Sequence, residues 1–229
     1  MDELTLTRPA PTAQRPLLGL TVLVVEDSRF ASEALRLLCL RSGARIRRAD
    51  CLASAARHLT TYRPAVAVVD LGLPDGSGLD LIARLAAAEE RPEAILATSG
   101  VDRAEAEASA LAAGAGAFLP KPVESLAAFQ QAVLSLLPGH RHPAGPRAVP
   151  SDAVEPDRLA LDEDLAEAAR MLDADAEPAF VAGFLQGLAQ AGGDAEMGAE
   201  ARALRAGGAD APARLRALIA SRRGARRVV

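Results

Sequence analysis

The sequence predicts a doubly wound α/β domain built on a five-stranded parallel sheet, followed by a small all-α module. Three observations predict it. From about Thr21 to Leu137, short β-rich runs alternate with stretches of helical period. Two of those runs, Thr21–Val25 and Val66–Asp70, are almost wholly aliphatic and rich in Val, the pattern of strands buried on both faces of a parallel sheet. Beyond Asp157 such runs stop, and the chain turns to Ala, Leu and Arg at helical spacings.

Taken in order, the strand candidates are Thr21–Val25, Ala44–Arg48, Val66–Asp70, Ala94–Thr98 and Ala117–Leu119. Helical stripes lie between them, with Phe30, Ala34, Leu37 and Leu38 in the first and Leu79, Leu81, Ile82 and Leu85 in the third. The fourth helix, Asp102 to Ala113, is mostly Ala and Glu. Gly43, Gly76, Gly78, Gly100 and Gly114 punctuate the joints. Strands alternating with helices imply right-handed βαβ units, and 2-1-3-4-5, the flavodoxin-like strand order, is one of the two common solutions. Sites in such sheets form beyond the carboxyl ends of the strands.

The expected organisation is a tail over 1–18, the α/β domain over 19–138, a linker over 139–156 and a helical module over 157–229. The linker is marked by Pro, His and Gly between His140 and Pro156. Helices are expected near 157–173, 177–191, 195–206 and 211–223. Pro178 suits a helix start, and Gly192–Gly193 and Gly207–Gly208 suit helix ends.

With 3% aromatic residues and no Trp, the core must come from Leu, Val, Ile and Ala. A net charge of −4 gives no overall attraction to nucleic acid or membrane. Cys39 and Cys51 lack metal-ligand spacing and read as small hydrophobes rather than a disulfide. The N-terminus has no signal-peptide pattern and no run of some eighteen apolar residues exists, so a cytoplasmic protein is expected.

The carboxyl ends of the strands carry the chemistry. The first gives Glu26–Asp27, the third Asp70, the fourth Thr98–Ser99–Gly100 and the fifth Lys121–Pro122. In the order 2-1-3-4-5 the first and third strands are neighbours, about 4.8 Å apart. Three carboxylates then share one crevice, which calls for a cation, and hard oxygen donors favour Mg²⁺. Each feature has a plainer reading: a helix cap for Glu26–Asp27 or Ser99, a turn opener for Asp70, a surface charge for Lys121. Their joint placement after four strands of one sheet favours a site.

These residues resemble the receiver domains of two-component response regulators. The matching segments are Val22-Leu23-Val24-Val25-Glu26-Asp27-Ser28, Val68-Val69-Asp70-Leu71-Gly72-Leu73-Pro74-Asp75-Gly76-Ser77-Gly78, Thr98-Ser99-Gly100 and Phe118-Leu119-Pro120-Lys121-Pro122. The resemblance covers roughly half the chain. It implies that Asp70 is the phosphoacceptor, and that Asp27 binds Mg²⁺ directly with Glu26 acting through water. It also implies the backbone carbonyl of Gly72 as a third protein ligand. Ser99, rather than Thr98, takes the role of the phosphoryl-gripping hydroxyl, because the family's hydroxyl precedes a small residue. Lys121 becomes the paired ammonium, Phe118 the switch aromatic, and Lys121–Pro122 a cis peptide. Ordinary core is the plainer reading of Phe118.

The implied partner is a sensor histidine kinase or histidine phosphotransfer protein. The implied role is a signalling phosphoacceptor that assists its own modification rather than an enzyme. Phosphatases of the haloacid-dehalogenase type also phosphorylate an Asp after a strand. They need a second Asp two residues on, where this chain has Gly72.

The helical module is less informative. Leu161, Leu165, Ala168 and Leu172, then Phe180, Phe184 and Leu188, then Leu204, Leu215, Leu218 and Ile219 keep helical spacings, reading as a bundle core or dimer face. It contains no His, which excludes a histidine phosphotransfer module. Protein interaction or homodimerisation is the expected output. The alternative is a divergent DNA-binding output using Arg214, Arg216, Arg222, Arg223, Arg226 and Arg227, whose plainer reading is a cationic helix terminus. His140 and His142 lack further metal ligands, and His58 reads as surface.

Overall fold

The computed structural model describes residues 10–100, 103–145, 154, 157–174 and 176–226. Residues 1–9 of the expected tail, most of the linker from 146 to 156, Asp102 and Arg227 lie outside the described residues. The chain runs β1 (Thr21–Val25), α1 (Arg29–Arg41), β2 (Arg45–Ala49), α2 (Leu52–Thr61), β3 (Val66–Asp70), β4 (Gly72–Leu73), β5 (Gly76–Ser77) and α3 (Gly78–Ala87). It continues with β6 (Ala94–Ser99), α4 (Arg103–Ala112), β7 (Ala117–Pro120) and α5 (Leu126–Leu136). Four more helices follow: α6 (Arg158–Asp173), α7 (Pro178–Gly192), α8 (Ala195–Arg205) and α9 (Ala211–Arg226).

The sheet order is β2-β1-β3-β6-β7, all parallel, which is the expected 2-1-3-4-5 order and flavodoxin-like architecture. Alternation along the strands divides the core. Val22, Val24, Val66, Val68 and Leu96 face α1 and α5, while Leu23, Val25, Val69, Ile95 and Ala97 face α2, α3 and α4. Strand ends differ from expectation by one residue at β2, β6 and β7, where pairing continues to Ala49, Ser99 and Pro120. The Pro74-Asp75 turn closes β4 on β5 as a small antiparallel hairpin, a pairing too short for periodicity to reveal. Leu17, expected as a lead-in, is fully buried in the core, and its amide donates to the Ser42 carbonyl. Val154 is buried as well, its amide bonded to the Glu124 carbonyl.

Helices α6 to α9 build a second core from Leu161, Leu165, Leu185, Ala201, Leu215 and Ile219. Gly193 ends α7 at φ 65°, where an L side chain would be strained. No described helix is long and apolar enough to cross a membrane. Cys39 is buried, Cys51 is half-buried, and both are free thiols.

Candidate functional site

Strands β1, β3 and β6 end side by side, so the groups that follow them converge. Val25 pairs with Val69, and Asp70 with Thr98. One carboxylate oxygen each from Glu26, Asp27 and Asp70 lies within 4.8 Å of the others. Beneath Asp70 the chain is packed backbone to backbone: a Cβ on Gly78 would sit 1.9 Å from the Asp70 carbonyl oxygen. The Leu71 amide donates to the Thr98 carbonyl at 3.1 Å, and the dipoles of the Leu71 and Gly72 amides also favour the charged Asp70 carboxylate.

Lys121 follows β7 and closes the cluster. Its Nζ donates to Glu26 Oε1 at 2.9 Å and lies 3.1 Å from Asp70 Oδ1. Glu26 Oε2, 2.7 Å from the same nitrogen, pairs by charge but lies off the hydrogen-bond direction. Burial opposes the ammonium, yet Asp70, Glu26 and Asp27 outweigh it and hold Lys121 above the ordinary lysine range. The Lys121–Pro122 peptide is cis.

One ammonium serves three carboxylates, which leaves an excess of negative charge in a buried place. Desolvation, reinforced by Asp70 against the pull of Lys121, raises Glu26 to about 8. Desolvation likewise raises Asp27 to about 7, and it raises Asp70. Asp27 Oδ2 is buried with no hydrogen-bond partner, so an oxygen suited to a hard cation is left unused. The residues present therefore fit a divalent ion.

Stability of the cation-free protein follows from these shifts. A carboxyl raised on folding binds its proton more tightly in the native state, so stability falls as pH rises between the unfolded and folded values. That window runs from 4.5 to about 8 for Glu26 and from 3.8 to about 7 for Asp27. Lys121 keeps its contribution throughout, because its loss begins only above 10.5. With divalent cations chelated, urea unfolding should show a loss of at least roughly 3 kcal/mol between pH 5 and pH 8, the share of Glu26 alone, with Asp27 adding to it. A flat or rising profile would contradict the cluster's electrostatics.

Both candidate hydroxyls reach the cavity. Thr98 is level with Asp70 and its Oγ1 is buried without a hydrogen-bond partner, while Ser99 lines the same cavity one residue further on. Phe118 lies apart, in the core beside Ala106 and Ala110 of α4. His58 sits on α2, where its Nε2 meets the Arg48 carbonyl at 2.9 Å.

Sequence reasoning missed one wall of this site. The cavity over Asp70 is bounded on its far side by Phe180, Phe184 and Leu188 of α7. Asp164 of α6 accepts from Ser28 Oγ at 2.8 Å and from the amides of Arg29 and Phe30 at 3.0 Å each. Burial raises its pKa, against the hydrogen bonds from Phe30, Ser28 and Arg29. Only an Asp on a helix face was visible in the sequence, with no motif to single it out.

Residues 22–133 match the family model of the response regulator receiver domain, which ends before α6 begins. The virulence transcriptional regulatory protein PhoP of Salmonella typhimurium is 31% identical over 115 residues, 49% of this chain and 51% of that protein. Transcriptional regulatory protein PhoP of Escherichia coli O157:H7 is 32% identical over the same shares of each chain. The chain spans about half the length of these curated relatives. A solved receiver domain of a signal transduction histidine kinase from Syntrophus aciditrophicus is 23% identical, covering 52% of this chain and 89% of that one at a TM-score of 0.47.

Proposed function

We propose that this chain, whose residues 22–133 form a response regulator receiver domain, takes a phosphoryl group onto Asp70 and signals through its helical module. The observation that carries the reading is the convergence of Glu26, Asp27 and Asp70, one oxygen of each within 4.8 Å of the others, beside the Lys121 ammonium. Glu26, Asp27, Asp70 and the Gly72 carbonyl would hold Mg²⁺, which when bound neutralises charge on the phosphoryl oxygens. An Asp70 carboxylate oxygen attacks phosphorus in line. The P–N bond of a donor phosphohistidine breaks, and the imidazole nitrogen keeps the electron pair. Lys121, already within 3.1 Å of Asp70, pairs with the arriving charge, and the Ser99 hydroxyl donates to a phosphoryl oxygen. The new dianionic group draws on Ser99 and Lys121, shifting the balance of packings around Phe118 and α4. A phosphohistidine on a sensor kinase or phosphotransfer protein is the donor in this reading.

The test is phosphate-affinity electrophoresis of the full chain after incubation with acetyl phosphate. A slower band should form with Mg²⁺ and not with a chelator. Absence of that band in Mg²⁺ would sink the reading.

Protein contact is the proposed output, within this chain or between copies. Its support lies in how the basic C-terminus is used. Arg222 pairs with Asp194 and Glu196, Arg223 with Asp162, Arg214 with Glu200, and Arg216 with Asp173 and the Leu172 carbonyl. These arginines already have partners in the module, which disfavours the DNA-binding alternative. The curated relatives are named transcriptional regulators, but this chain matches only half of each. The full chain should elute from immobilised duplex DNA at or below about 150 mM salt. Retention with a steep salt dependence would restore the alternative.

A further inference from the structure

We propose that the helical module is an intramolecular cover for the phosphoacceptor site. It closes the cleft over Asp70 into a chamber that admits small phosphodonors and excludes protein donors until α6 and α7 lift. The inference rests on the phosphoacceptor reading of Asp70 and adds a control on access to it.

The cover is bonded to both loops that flank Asp70. On one side is the start of α1, directly after Glu26–Asp27. A helix start leaves its first amides without intrahelical partners. Ser28 Oγ satisfies the amide of Ala31, and Asp164 of α6 takes those of Arg29 and Phe30. Asp164 is only 2% exposed, so this cap is made inside the interface. Phe30, the second residue of α1, belongs to the module's own core with Leu161, Leu165 and Phe184. Glu163 adds an outer ion pair to Arg29 at 2.7 Å.

On the other side is Gly100, directly after Ser99. Gln190 of α7 donates through Nε2 to the Gly100 carbonyl at 2.7 Å. A Cβ on Gly100 would lie 2.9 Å from the Cα of Gly187, so the two backbones touch where glycine faces glycine.

Between the two attachments remains a cavity of about 210 Å³, with Asp70, Ser99 and Lys121 on one wall and Phe180, Phe184 and Leu188 on the other. A single water needs only about 10–15 Å³ of such free space, so the cavity has room for a phosphoryl group on a small organic carrier. A protein donor would have to carry its histidine past α7, whose Phe180, Phe184 and Leu188 line the cavity opposite Asp70. With acetyl phosphate, a bond forms from an Asp70 carboxylate oxygen to phosphorus. The P–O bond to the acetyl group breaks, and acetate leaves with the electron pair.

The test measures access without phosphorylation. In a full-chain Asp70→Cys, Cys51→Ser background, the introduced thiol is challenged with iodoacetamide or with a maleimide on a long polyethylene glycol chain. Two undocked forms are compared with it: Asp164→Ala, and Glu163→Arg with Gln190→Ala, which changes exposed residues only. Undocking is verified by faster amide exchange at Arg29 and Phe30 while Val22–Val25 stay protected, which separates movement from unfolding. The polymer reagent should react at least about tenfold faster in either undocked form, and iodoacetamide should change by less than about threefold. Equal polymer rates in docked and undocked chains would overturn the cover. Blocked iodoacetamide in the docked chain would overturn the chamber. Phosphate-affinity electrophoresis of the unmodified chain reads Asp70 separately, so failure there counts against the phosphoacceptor and not the cover.

Discussion

Asp70→Asn should take up no phosphoryl group from acetyl phosphate, a fall of at least about a hundredfold in labelled fraction, while the fold is kept or slightly strengthened. The amide has the shape of the carboxylate but lacks the nucleophilic oxygen pair that closes on phosphorus. Its effect on stability has the opposite sign. Asp70 is buried, and desolvation raises its pKa in spite of Lys121 and the amides of Leu71 and Gly72. Removing its charge leaves Glu26 and Asp27 to share the ammonium, which lessens repulsion in the cation-free protein. A gain near 1 kcal/mol is expected in denaturant titrations with a chelator present. Lost labelling together with lost stability would mean instead that Asp70 holds the sheet ends together.

The second large effect belongs to Lys121. Lys121→Met keeps the length of the side chain and removes the only ammonium within reach of Glu26 and Asp70 among the described residues. The Lys121 side chain is 10% exposed, and those of Glu26 and Asp70 are 0% and 7% exposed, so water screens little of the change. Breaking a buried pair by deleting one partner costs about 3–5 kcal/mol, and a loss of that order is expected near neutral pH without divalent ions. Added Mg²⁺ should recover part of it, because the cation takes over the neutralising role. Lowering the pH should also recover part, since Glu26 and Asp27 can then protonate. A variant as stable as the parent at every pH would show that the carboxylates are not ionised together.

What the sequence made legible followed from local physics. Val22–Val25 and Val66–Val69 are aliphatic without interruption because both faces of their strands are covered, so run and strand coincide. Ala44–Arg48 was placed one residue early, because β2 is an edge strand with exposed Arg45, Arg47 and Arg48, whose pattern gives little guidance on its ends. Glu26, Asp27, Asp70, Ser99 and Lys121 could be grouped from position alone, since parallel strands deliver their carboxyl ends to one edge of the sheet.

The docking of the module was not legible, for a physical reason. Asp164 and Ser28 are separated by 136 residues, and Gln190 and Gly100 by 90. Periodicity reports which face of a helix is buried, never against which distant element. Phe30 shows the limit most clearly: its spacing with Ala34 placed it in the α/β core, yet its ring completes the core of the other unit. The arginines of α9 were read as free charge because their acidic partners lie on α6 and α8 or next to them, out of reach of any spacing rule.

Whether position 70 is the esterified side chain is read most directly by borohydride reduction of the phosphorylated full chain, followed by peptide mass spectrometry. An aspartyl phosphate is reduced to homoserine, a mark that stays on the residue that carried it. The mark is expected at Asp70 alone, in Mg²⁺-treated samples and not in chelated ones. A mark at Asp27, Asp75 or another carboxylate, with Asp70 unaltered in a labelled chain, would contradict the assignment.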